Sequence, residues 1–218
     1  FAEKGLSINE GIAIDARLVE SASRPISGEQ LKELREKRQT DKGKTDKNGQ
    51  PLKFSRDVES DWVIRDDIVH FGLKEHASVD VKNGFILATT MTPASFHESR
   101  YLPYCTVNSL HTGQRLKKVY ADKGYYGESN RDVLSLNHIE DGIMRKDTPT
   151  AKLTEYEKQR NKQISKKRYI VEQYFGLSHL HDRAKRARFP TIIKNLIDAM
   201  CRQAAFNIKR GAKLLAFT

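Results

Sequence analysis

The sequence predicts an α/β domain in which a mixed β-sheet is covered by helices, and three of its features carry that expectation. Short apolar runs with two-residue alternation come first, strands and helical stretches then alternate, and two long segments with helical spacing close the chain. With 218 residues it can bury one substantial core, so a single domain over 1–218 is expected.

The first strand is GIAIDARLVE at 11–20, apolar and alternating in its first half, with Asp15 in its interior. From about 27 to 60 the composition turns to Lys, Arg, Glu, Asp, Gly and Gln, and KRQTDKGKTDKNGQP has almost nothing apolar to bury. That segment is expected to be a long, flexible, mostly basic excursion after the first strand. Order returns at Trp62, read as a core anchor. Next, 73–81 and 85–92 flank Lys82-Asn83-Gly84, a β-hairpin signal. Pro93 opens a helical stretch over 94–110 that stops at His111-Thr112-Gly113. A strand at 115–121 runs into Asp122 and the glycine-flanked turn DKGYYG, followed by a helix over about 129–136 and a strand at 139–145. A small insertion is expected at about 147–160, with the turn Thr148-Pro149-Thr150. Helices over about 154–177 and 191–215 finish the chain, and no internal repeat is visible. This order matches the ribonuclease H-like arrangement, with right-handed connections between parallel strands.

The formal charge of +11 makes nucleic acid the leading partner, because clustered Lys and Arg release the counterions condensed on phosphate backbones. A basic surface that only aids solubility is the alternative. No run approaches the roughly 20 apolar residues that a membrane-spanning helix needs, so a membrane protein is not expected. Cys105 and Cys201 stand far apart and outside any zinc-ligand spacing, which fits a reducing cytoplasm. The chain begins at Phe1 without Met or a signal peptide and is read as a fragment lacking its natural N-terminus.

Three acidic residues stand out by their settings: Asp15 inside an apolar strand, Asp122 at a strand end beside glycines, and Glu172 inside YIVEQYF. An unpaired carboxylate in such surroundings is costly to bury and should be protonated, salt-bridged or metal-bound. Each has an ordinary alternative. Asp15 could cap a bulge, Asp122 could open the turn as an Asx residue, and Glu172 could pair with Arg168 one helical turn earlier.

Taken in order, IAIDARLVES, ADKGYYGESNR and SKKRYIVEQYFGLSHL resemble the DDE transposases of bacterial insertion sequences of the IS-four and IS-five type. That family carries an Asp in an apolar strand, an Asp-x-Gly-Tyr turn and a Glu-bearing helix. The resemblance extends over FGLKEHASVDVKNGFILATTMTPASFHES, where relatives show a Gly-Tyr-Lys hairpin and a His-Asp-Ser motif, and so covers nearly the whole chain. Arg168 and Glu172 keep the family spacing, while Ser165 replaces a Tyr, His179 a basic residue, and His97-Glu98-Ser99 the commoner His-Asp-Ser.

The resemblance implies DNA transposition by a ribonuclease H-like domain, with Asp15, Asp122 and Glu172 as catalytic residues holding two Mg2+ ions, for which Mn2+ substitutes. Two such ions roughly 3.5–4 Å apart activate the attacking oxygen and stabilise the leaving one, and carboxylates suit these hard cations. Expected DNA contacts are Lys123, Arg168, His179, Arg183, Lys185 and Arg186, the last three within the basic run HDRAKRAR. As alternatives, Arg168 could merely pair with Glu172, Lys123 could be a plain surface lysine, and the run could be a solvated tail. Tyr125 and Tyr126 are read as packing or base-stacking, and His97 ranks below the trio. Expected partners are double-stranded transposon ends and target DNA, bound by a homodimer beside the bacterial nucleoid. A nuclease that cuts without joining and a non-catalytic DNA-binding remnant are the rival functions.

Overall fold

The computed structural model describes residues 10–52, 56–111 and 116–216. Its sheet is built on β1 (Ile12–Glu20), whose apolar alternation lets it sit in the centre with both faces covered. After α1 (Gly28–Thr40) come β2 (Asp61–Arg65), β3 (Ile68–Asp80) and β4 (Ile86–Pro93). β3 pairs antiparallel with the whole of β1 through its residues 72–80 and forms the expected hairpin with β4. At the hairpin turn Asp80 Oδ2 accepts the Asn83 N–H at 2.6 Å, and Gly84 takes the positive φ of 75° that a side chain would resist.

A 3-10 turn (Glu98–Tyr101) leads into α2 (Leu102–Leu110), so the helical stretch expected from 94 is shorter than its apolar spacing suggests. Thr112 and Gly113 of the expected stop, and position 115 of the next strand, lie outside the described residues. β5 (Lys118–Ala121), α3 (Glu128–Leu136) and β6 (Glu140–Ile143) form a parallel crossover unit, with β5 also parallel to β1. α4 (Glu155–Asp182) and α5 (Ile192–Ala216) follow, and the expected insertion at 147–160 divides into a loop and the first turn of α4. The path β4-β3-β1-β5-β6, three antiparallel strands followed by two parallel to the first, is the ribonuclease H-like mixed sheet, with β2 added against β3.

Within the segment 27–60, expected to be an irregular excursion, residues 28–40 form α1. Ser27 caps α1 through the Gln30 N–H, and Leu31 is buried against Val58 and Phe71 with Trp62 beside them. Arg35 donates to the carbonyls of Val58 and Ser60. One leucine, one cap and one arginine seat this helix on the sheet although its composition is polar. Trp62 does act as an anchor: its ring lies 5.0 Å from Phe71, and its indole N–H donates to the Ile26 carbonyl.

Candidate active site

Alternation along β1 decides where Asp15 points. Ile12 and Ile14 pack with Val119, Ala121, Leu102 and Leu134 under α2 and α3. Ala13, Asp15, Arg17 and Val19 therefore face α4 and α5. β5 runs parallel to β1 with Ile12 opposite Val119 and Ala13 opposite Tyr120. Continued by two residues, that register sets Asp15 level with Asp122 and on the same face, on strands about 5 Å apart.

Arg168 of α4 donates from Nη2 to Asp15 Oδ2 at 2.8 Å, and Asp15 Oδ1 accepts the Ala16 N–H at 2.8 Å. Burial pushes the Asp15 carboxyl up to about 6, against the pull of Arg168 and of the Ala16 N–H, while the charges of Asp122 and Glu98 push it further up. Asp122 caps the 3-10 turn Lys123–Tyr125 by accepting the Gly124 N–H on Oδ1 at 2.7 Å, so its Asx geometry is present. Arg168 and Asp122 border a cleft whose walls include Lys123, Arg145, Lys146 and Asn161. Arg145 and Lys146 are absent from the expected contacts, since nothing in their local sequence separates them from the chain's other basic residues.

Glu172 stands apart from the two aspartates. It is exposed on α4 one turn beyond Arg168, and Arg168 pairs with Asp15 rather than with Glu172. Among the described residues no three His, Cys, Asp or Glu side chains are grouped to hold a metal ion. The inner face of α4 consists of Ile164, Arg168, Val171, Tyr174, Phe175 and Ser178, with Glu172 beside it. A carboxylate the sequence reading passed over, Glu98, lies near the aspartates instead. Its signal was its place next to His97, which is exposed and only caps the turn it precedes.

The remaining expected DNA contacts divide. Lys123 is exposed at the cleft. His179 is exposed on α4, its imidazole pushed down by partial burial and by the charges of Arg17 and Lys185. Arg183 ends α4 in a left-handed conformation with φ 52° and is exposed, as is Lys185. Arg186 donates to the carbonyls of Ser21 and Ala22, which fastens the basic run to the end of β1. Glu20, which pairs with Arg186, is five residues past Asp15, so the run lies roughly 17 Å along the strand from the carboxylates. It can meet phosphates flanking the cleft rather than one inside it.

The donor set suits a hard divalent cation. Two carboxylates share one face, and the more buried of them is compensated by a single arginine.

Residues 9–207 match a family model described as "Transposase DDE domain". The chain is 32% identical over 218 residues to the transposase for insertion sequence element IS1106 of Neisseria meningitidis serogroup B, spanning 99% of this chain and 70% of that protein. Among solved structures, it is similar to a chain of the simian T-cell lymphotropic virus intasome in complex with the PP2A regulatory subunit B56 gamma. That match has 12% identity and a TM-score of 0.34, covering 54% of this chain and 35% of the other. The catalytic core domain of BIV integrase matches at 9% identity and a TM-score of 0.28, over 66% and 95% of the two chains. With the family model and a relative matched over nearly all of this chain in agreement, the chain belongs to the DDE transposases, DNA-processing enzymes that carry out transposition.

Proposed function

We propose that the chain cuts and joins DNA at insertion-sequence ends by metal-dependent phosphodiester chemistry at Asp15 and Asp122, with Glu172 as the third carboxylate. The observation that supports it is that Asp15 stands on β1 and Asp122 directly follows β5, the parallel neighbour of β1, with Arg168 of α4 paired to Asp15 and lining the cleft with Asp122. Asp15 and Asp122 would hold two Mg2+ ions, or Mn2+ in their place, which supply an activated attacking oxygen and stabilise the leaving one. Arg168 then exchanges Asp15 for a phosphate oxygen, its planar fork being suited to either. α4, bearing Glu172 one turn further on, is the element that can offer the remaining carboxylate. Lys123 and Lys146 neutralise the strand in the cleft, and Arg183 and Lys185 hold flanking backbone phosphates. Two protomers on paired transposon ends make the working assembly.

A strand-transfer assay with a pre-cleaved transposon end tests the reading. Asp15→Asn, Asp122→Asn and Glu172→Gln should each lower joining on the order of a thousandfold, the loss of several kcal/mol of transition-state stabilisation. Cleavage without any joining by the unmutated chain would make it a nuclease. Joining that survives Glu172→Gln would remove that residue from the set.

A further inference from the structure

A second positively charged surface lies on the other flank of α4 from the carboxylate cleft. It is a groove between β5 and α4, lined by Lys118, Tyr120, Arg160, Gln163, Lys166 and Lys167, and none of its lining residues is acidic. Lys118 and Tyr120 alternate with the buried Val119 and so stand on the sheet face that α4 covers. Lys118 is four residues before Asp122, roughly 13 Å along the strand direction. Lys167 and Glu172 are five residues apart on α4, about 140° around its axis, so the groove and the cleft occupy two separate sides of one helix.

The charges of this groove are only partly answered within the chain. Arg160 is engaged by the carbonyls of Asp141 and Ile143, and Lys118 lies 3.3 Å from the exposed Glu140. Lys166 and Lys167 are exposed and form no ion pair among the described residues, and the same holds for Lys162 one turn earlier. Three neighbouring lysines on one helix repel one another, and a row of phosphates removes that repulsion. The dimensions name the form in which phosphates come. A helix with its side chains is roughly 10–12 Å across, and the major groove of a DNA duplex is about 12 Å wide and about 8.5 Å deep. A duplex laid over α4 therefore takes the helix into its major groove and lowers one backbone on each side of it, one toward the cleft and the other toward the basic groove.

We propose that a transposon-end duplex straddles α4, with the transferred strand at the carboxylates and the backbone of the complementary strand in the groove, held by Lys118, Lys166 and Lys167. The straddle rests on the catalytic reading of the cleft given above. Lysines meet phosphates as point charges, so this grip holds the duplex without reading its sequence.

Joining of a pre-cleaved transposon end, followed against end concentration, tests it. Lys166→Gln with Lys167→Gln should raise the half-saturating end concentration by about tenfold or more and make its salt dependence shallower by about two phosphate contacts. Lys209→Gln with Lys213→Gln, which takes the same charge from the exposed side of α5, should leave the half-saturating concentration unchanged. Neutral methylphosphonates in the complementary strand, across the major groove from the reacting 3′ end, should weaken the unmutated chain and add little further loss to the Lys166, Lys167 double variant, since both changes remove the same contact. Methylphosphonates in the transferred strand should weaken both chains alike. Unchanged half-saturation in the double variant, an equal loss in the α5 variant, or complementary-strand losses that add to those of the double variant overturns the straddle and leaves the catalytic reading standing. An unmutated chain that does not join overturns both.

Discussion

His76 and Asp15 lie on paired strands, and burial drives both toward neutrality, in opposite directions on the pH scale. Asp15 rises to about 6, whereas His76 falls to about 3, by burial first and by the nearby Lys74 charge second. The His76 ring is fully buried, stacked 4.6 Å from Tyr101, with Nε2 3.0 Å from Thr92 Oγ1. Its folded value lies below the unfolded 6.5, so the native state binds fewer protons. Its contribution to stability is complete above pH 6.5 and is lost as pH falls toward 3. His76→Gln cannot take up that proton. Between pH 6 and 4 the stability of the variant should gain on the unmutated chain by up to about 1.4 kcal/mol per pH unit, measured by urea unfolding at each pH. A difference that does not change with pH would refute the assignment. Taking the difference cancels Asp15, whose raised value makes the native state more stable as pH falls through the same window.

At the scale of elements, α4 matters most because it carries both Arg168 and Glu172. Its start is a reciprocal cap: Thr154 accepts the Glu157 N–H, and Glu157 accepts the Thr154 N–H at 2.9 Å. Farther along, Arg160 donates to the carbonyls of Asp141 and Ile143, and Asn161 exchanges two hydrogen bonds with the Arg145 backbone, which sets the helix against the end of β6. Thr154→Ala should cost about 1 kcal/mol and raise hydrogen exchange in the first turn, while the pair at Arg168 stays intact. α5 was legible because long amphipathic spacing survives any packing arrangement, α4 because a long stretch with helical spacing follows the turn Thr148-Pro149-Thr150, and the hairpin because Lys-Asn-Gly punctuates two strand-like runs. α1 was not legible. Its one deeply buried side chain, Leu31, meets Val58 and Phe71 from distant parts of the chain, and a composition-based reading cannot count partners it cannot see.

Over the whole molecule, a buried polar network ties the sheet to both long helices. Arg17 on β1 pairs with Glu75 on β3 at 2.5 Å, Glu75 also accepts from the Tyr174 hydroxyl of α4, and Arg202 of α5 lies 3.6 Å from the same carboxylate. Glu75 is wholly buried, so Glu75→Ala, which strands Arg17, should cost about 3–5 kcal/mol. Arg17→Met with Glu75→Leu should cost less than the sum of the single changes, read in a chemical-denaturation cycle. Additive losses would show that Arg17 and Glu75 are not coupled. The sequence by itself determined the element order, the family, and the strand and turn on which Asp15 and Asp122 stand, because strand periodicity and turn chemistry are local. Which carboxylates stand near one another was decided only by tertiary structure. The sheet register levels Asp15 with Asp122, the 3-10 turn Glu98–Tyr101 packs against the turn that Asp122 caps, and the rotation of α4 aims Arg168, not Glu172, at β1. These follow from how separate elements pack, and packing is a property of pairs of elements that no single segment encodes.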